Sequence, residues 1–110
     1  MTKEIEHYEY KDEINNSSKP VSIFFWVRSC DGCRKYKPVY EELPNQIPEV
    51  RFLKMGMLKS IENLRLAESL GVEETPTTIL FCKGTKIGSI VGFRTLEEVK
   101  KEIDKILEKC

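Results

Sequence analysis

The apolar positions of this chain fall into two rhythms that alternate along it. Val21-Ser22-Ile23-Phe24-Phe25-Trp26-Val27 is a short, almost continuous apolar run rich in β-branched and aromatic residues, the mark of a strand buried on both faces. From about Asp31 to Leu43 the period lengthens, with Tyr36, Val39, Tyr40 and Leu43 at helical spacing. Pro38 lies within this helix and should bend it, and Pro44 and Pro48 bracket its exit. Val50 to Met55 predicts a second strand. Ile61, Leu64, Leu66, Ala67 and Leu70 predict a second helix, with Gly71 as its stop. Thr77 to Cys82 is a third strand, Lys83-Gly84-Thr85 a hairpin turn, and Lys86 to Val91 a fourth strand. Thr95-Leu96-Glu97-Glu98 has the form of a capping box, opening a helix that runs to about Glu108 and buries Leu96, Val99, Ile103, Ile106 and Leu107. Ahead of all this, Ile5 to Tyr10 reads as an edge strand or a helix lead-in, and Lys11 to Asn16 as weakly helical.

The order β-α-β-α-β-β-α predicts an α/β fold. Crossover helices in the first half imply parallel pairing, and the late hairpin implies an antiparallel edge. The expected architecture is a central mixed β-sheet of four to five strands, flanked by helices on both faces, in one domain spanning residues 1–110. The length of 110 residues suits one domain with a core of its own.

Charge narrows the function. Eighteen basic residues balance eighteen acidic ones, so nothing favours nucleic acid or an anionic membrane as partner. The N-terminal Met1-Thr2-Lys3-Glu4 is polar, without the apolar core of a secretory signal, and no apolar run could span a bilayer. The expected location is cytoplasmic.

The candidate chemistry is Cys30-Asp31-Gly32-Cys33, at the junction between the first strand and its helix. Spacing of i, i+3 on a helical turn sets both sulfurs on one face, and the partial positive charge of a helix N-terminus favours a thiolate. The bare motif leaves open a zinc knuckle or a chance pair. Cys82 lies in an apolar strand and is expected to pack as a small hydrophobe. Cys110 is expected to be an exposed, frayed thiol, and no disulfide scaffold is expected. No second Cys-x-x-Cys and no His near the pair supply further metal ligands, so the metal expectation is none. His7 reads as a surface residue.

Phe25-Trp26 ahead of Cys30-x-x-Cys33, Pro38 in the following helix, Lys54 on the next strand, Thr75-Pro76-Thr77, Phe81-Cys82-Lys83-Gly84 and Val91-Gly92 occur in an order and spacing that resembles the thioredoxin family. The resemblance covers nearly the whole chain, least clearly its first twenty residues. It implies a thiol–disulfide oxidoreductase that reduces protein disulfides and serves cell redox homeostasis, with Cys30 as nucleophile and Cys33 as resolving thiol. It further implies a cis Thr75–Pro76 bond facing the pair, and a substrate groove formed by Trp26, Ser29, Asp31, Gly32, Thr75, Pro76 and Gly92. Lys54 would tune the electrostatics, since in the family its position lies near a buried carboxylate. The redox group would be the Cys30–Cys33 disulfide with no other cofactor. The partners would be protein disulfides and an upstream dithiol reductase, and the chain a monomer.

Three departures stand out. Ser29 replaces the Trp that commonly precedes the first Cys, and Asp31-Gly32 replaces Gly-Pro. Asp31 sets a negative charge beside Cys30, which could be offset by capping or by pairing with Arg28, Arg34 or Lys35. Phe24 stands where typical thioredoxins hold a buried acid that accepts the proton of the resolving thiol, and no substitute carboxylate is evident from sequence. These departures keep an alternative alive: a thioredoxin-fold binding or redox-sensing module with little turnover.

Overall fold

A computed structural model describes residues 2–110; Met1, the start of the polar N-terminal stretch, lies outside the described residues. Five strands, β1 (Lys3–Glu4), β2 (Val21–Trp26), β3 (Arg51–Gly56), β4 (Thr77–Cys82) and β5 (Thr85–Val91), form one sheet in the order β1-β3-β2-β4-β5. The helices are α1 (Tyr10–Asn16), α2 (Asp31–Gln46), α3 (Ile61–Ser69) and α4 (Leu96–Leu107). Single 3-10 turns, His7–Glu9 and Met57–Lys59, lead into α1 and α3. β1, β3 and β2 run parallel, and β4 and β5 run antiparallel to their neighbours, so the mixed sheet is as expected.

Alternation along β2 divides the core. Val21, Ile23 and Phe25 face a layer built with Ile14, Ala67 and Val72. Phe24 faces the other way, into Tyr36, Tyr40, Leu43, Val99 and Ile103 of α2 and α4. A strand buried on both faces therefore needs apolar residues at every step, which is why its sequence shows no polar alternation. Ser22, the one polar member, is satisfied by the Tyr40 hydroxyl at 2.8 Å, and that hydroxyl donates to the Leu53 carbonyl at 2.6 Å.

The differences from the sequence reading have local causes. The edge strand is Lys3–Glu4 rather than Ile5 to Tyr10, because only these two residues pair with β3; Ile5 then dives into the core. α2 runs through both Pro38 and Pro44 to Gln46 instead of ending before Pro44. Its last turn is held by the buried Leu43 and Ile47 and by the Ile47 amide on the Leu43 carbonyl, at 2.8 Å. Ile61, read as part of an apolar face, is 60% exposed, because Ser60 caps α3 and Ile61 is its first residue.

The hairpin and the last helix match their sequence signals. Lys83 and Gly84 both have positive φ, +52° and +81°, as a two-residue turn with the twist of its strands requires. Thr95 and Glu98 close a reciprocal capping box on α4.

One expectation is corrected outright. Cys82 and Cys110 are not a buried free thiol and a frayed one: they form a disulfide, with Cα atoms 5.5 Å apart. α4 runs back along the sheet toward the β4–β5 hairpin, and Gly88 admits it closely, since a Cβ there would meet Ile106 at 2.8 Å. The packing returns Cys110 to the end of β4.

Candidate active site

Cys30 and Cys33 are joined as a disulfide at the start of α2, with Cα atoms 5.2 Å apart. Cys30 is the N-cap: its Sγ accepts the Cys33 amide at 3.0 Å, in the place where Ser, Thr or Asp usually caps. The sulfur of residue 30 therefore sits in the positive field of the helix end, which stabilises the anionic form once the bond opens. Cys30 is half-buried, whereas Cys33 is 5% exposed against the Phe24–Tyr36 layer.

The neighbours of the pair come from three separate segments. The Thr75–Pro76 bond is cis. A Cβ on Gly32 would fall 3.0 Å from the Pro76 Cδ, so the missing side chain lets the proline ring close onto the motif. Gly92, at φ +93°, donates its amide to the Pro76 carbonyl at 2.7 Å, a conformation that favours glycine. Asp31 and Ser29 are exposed, and Asp31 pairs with Arg34 at 3.4 Å on the helix surface, one of the three partners considered for it. With both side chains mostly in water, this pair contributes little to stability.

Below the motif lies a cleft of about 360 Å³ lined by Cys33, Phe24, Trp26, Lys54 and Glu4, among others. Phe24 fills its floor, edge-on to Tyr36 with ring centres 5.0 Å apart and 5.1 Å from Tyr40. Burial pushes the Tyr36 hydroxyl up to about 12, against a smaller opposing hydrogen bond from Thr78. Tyr40, in the same layer, is also pushed well above its ordinary range by burial. Both hydroxyls stay protonated wherever thiols react.

Lys54 has a carboxylate partner, but it comes from α2: Glu41 accepts its ammonium at 2.8 Å. Burial pushes the Glu41 carboxyl up, and the hydrogen bonds from Lys54 and Thr2 outweigh this, leaving it below the ordinary value.

Glu4 is the residue that the sequence reading missed. Its Oε2 accepts the Gly56 amide at 2.9 Å and the Trp26 indole N–H at 3.3 Å, and Lys59 stands 3.5 Å away. The Lys59 ammonium also lies 5.6 Å from the Trp26 ring centre. The available signal was weak: Ile5 is apolar, so Glu4 must face the opposite side of a strand, but its pairing opposite Lys54 is set by tertiary structure. The Cys82–Cys110 disulfide stands at the far end of the sheet, since Phe81 pairs with Val21 at the start of β2 and Cys30 follows its end. Six residues of strand, at about 3.3 Å each, separate the two pairs, so one chain cannot gather all four sulfurs on a metal. Among the described residues, no group of three or more His, Cys, Asp or Glu is arranged to hold a metal ion, and no helix is long and apolar enough to cross a membrane.

Comparison with known proteins bears on this geometry. A family model described as Thioredoxin matches residues 1–105. Thioredoxin 1 of Synechococcus elongatus is 30% identical over 98 residues, covering 89% of this chain and 90% of that protein. Thioredoxin f of spinach chloroplast superposes with a TM-score of 0.85 at 24% identity, over 96% of this chain and 92% of that one, a likeness of fold. Thioredoxin of Malassezia sympodialis gives a TM-score of 0.81 at 25% identity, over 94% and 91%.

Proposed function

Because the chain belongs to the thioredoxin family, whose members are protein disulfide oxidoreductases, we propose that it reduces protein disulfides with Cys30 as attacking thiol and Cys33 as resolving thiol. The observation that carries this reading is the Cys30–Cys33 bond at the N-terminus of α2, with its outer sulfur half-buried and its inner sulfur enclosed. In the reduced protein the Cys30 thiolate attacks one sulfur of a target disulfide and expels the other as a thiolate. The Cys33 thiolate then attacks Cys30 Sγ, the Cys30–target bond breaks, and the electron pair leaves on the target sulfur. Two electrons reach the target, and the Cys30–Cys33 bond is restored.

The substrate in this reading is an extended segment of protein lying along Thr75 and Pro76. Val91 and Phe93, 47% and 39% exposed on either side of Gly92, give this groove an apolar rim. Ser29 leaves the flank of Cys30 open where relatives commonly carry a flat aromatic ring. Trp26 and Lys54 act from below, the first through the cleft wall and the second through its charge.

The disulfide itself serves as the redox group, with no other cofactor. An upstream dithiol reductase returns it to the dithiol form. The single domain acts as a monomer in a reducing, cytoplasmic setting, as part of cell redox homeostasis.

The test is turnover of a protein disulfide with dithiothreitol as electron source. Cys30→Ser is expected to abolish it. Cys33→Ser is expected to stop at a mixed disulfide on Cys30, visible as a covalent adduct by mass spectrometry. An adduct on Cys33 in the Cys30→Ser protein, formed as fast as the Cys30 adduct in the Cys33→Ser protein, would reverse the assigned roles. No adduct in either would leave the fold as a binding module.

A further inference from the structure

The resolving step has a requirement that Phe24 cannot meet. Cys33 is enclosed, and its thiol must lose a proton before its sulfur can attack Cys30. Phe24 has no acceptor. Tyr36 and Tyr40 hold their own protons throughout the relevant range. Arg28, Arg34, Lys37 and Lys54, which line the cleft, are cations with nothing to accept a proton. Asp31 is 87% exposed and paired with Arg34 on the outer surface. Glu41 is committed to Lys54 and Thr2 and does not line the cleft.

Among the described residues, Glu4 contributes the one carboxylate lining the cleft that Cys33 also lines. Phe24, Lys54 and Glu4 stand in register on neighbouring strands, so Glu4 lies two strand spacings from Phe24, about 10 Å across the sheet. The Gly56 amide and the Trp26 indole fix its Oε2, and neither occupies its Oε1. The cleft has room for water between the carboxylate and the thiol.

We propose that Glu4 is the proton acceptor for Cys33, working through water in the cleft. This rests on the assignment of Cys33 as resolving thiol. The proton leaves Cys33 Sγ, crosses the cleft water and arrives on Glu4. The resulting thiolate forms the bond to Cys30 Sγ, the Cys30–target bond breaks, and the released target thiolate takes up a proton from solvent or from Glu4. The Lys59 ammonium stands 3.5 Å from Glu4 Oε2, and Lys54 lies opposite Glu4 on β3.

The experiment uses dithiobis(nitrobenzoate) as oxidant on the reduced full chain carrying Cys82→Ser and Cys110→Ser. Attack by Cys30 releases one nitrothiobenzoate and resolution by Cys33 releases a second, so the two steps are timed separately. The nitrothiobenzoate leaves without needing a proton, so the second rate reports Cys33 ionisation. Glu4→Gln, which keeps an oxygen for Gly56 and Trp26, is expected to slow the second release about tenfold or more near neutral pH and to leave the first unchanged. The difference should close as pH rises past the ordinary thiol range of about 8.5, where solvent removes the proton unaided. Equal second-release rates in the two proteins at every pH would overturn the proposal. Cys33→Ser keeps the two failures apart, since loss of the second release in that variant sustains the role of Cys33 whatever Glu4 does. If Glu4→Gln does not fold, Glu4→Asp decides: its shorter side chain draws the carboxylate back from the cleft, so a slower second release with the first unchanged is expected, and equal second-release rates at every pH would overturn the proposal.

Discussion

The two disulfides of this chain are the same bond set in opposite circumstances. Cys30 and Cys33 are three residues apart, just past the end of β2 and beside a cleft, and one helical turn alone brings them together. Cys82 and Cys110 are 28 residues apart at the other end of the sheet, and they meet only because α4 has packed along β5. The first pair carries a helix N-terminus, a cleft and a carboxylate beside it. The second joins the end of β4 to Cys110, just past the end of α4. A disulfide does chemistry through what surrounds it, whereas a cross-link between distant segments acts on the chain's stability.

The largest effect that could break this contrast is on activity. Cys30→Ser is expected to bring disulfide turnover to background, and the double variant Cys82→Ser, Cys110→Ser is expected to leave it near wild type, both read in the same dithiothreitol-driven assay. Phe24→Ala comes next. Removing a ring enclosed by Tyr36 and Tyr40 should cost about 3–5 kcal/mol in a urea titration, because the aromatic layer beneath the first pair cannot close over the void. Losing the second pair should cost about 2–4 kcal/mol, as expected for opening a loop of this length in the unfolded chain. An unchanged midpoint on reducing Cys82–Cys110 would remove the structural half of the comparison. Gly92→Ala should cost about 1–3 kcal/mol, since its φ of +93° strains any other residue. It should also raise KM more than it lowers kcat, because the change falls beside Pro76 and not on the sulfurs.

The smallest effect is a pH dependence. The hydrogen bond from Arg51 holds the Glu13 carboxyl below its ordinary value, near the Cys82 end of the sheet, and Glu41 is lowered net against its burial beside Lys54. A carboxyl depressed in the folded state stabilises the fold above the unfolded value of 4.5 and loses that contribution as pH falls through its folded value. Denaturation midpoints are therefore expected to hold steady from neutral pH to about 5 and to decline below that, with Glu41→Gln flattening the decline by about 1 kcal/mol or less.

The same contrast explains what the sequence disclosed. Strands β2 and β4, the capping box at Thr95 and the Lys83-Gly84 turn are written in neighbouring residues, and so is the Cys30–Cys33 pair. Cys82–Cys110, the pairing of Glu4 with Lys54, and the Lys54–Glu41 contact are not, because each depends on which elements lie side by side after folding. The substitution of Phe24 was visible in the sequence. The cleft beside it, lined by a carboxylate from an edge strand two residues long, was not.

Whether Cys30–Cys33 is the redox centre of a reductase is decided by the reduction potential of that bond in a dithiothreitol redox buffer, followed through Trp26 fluorescence with Cys82 and Cys110 replaced by Ser. A reductase of this kind should give a value near −270 mV, the potential usual for thioredoxin. A potential above about −200 mV, or a pair that closes in no buffer, would contradict that role.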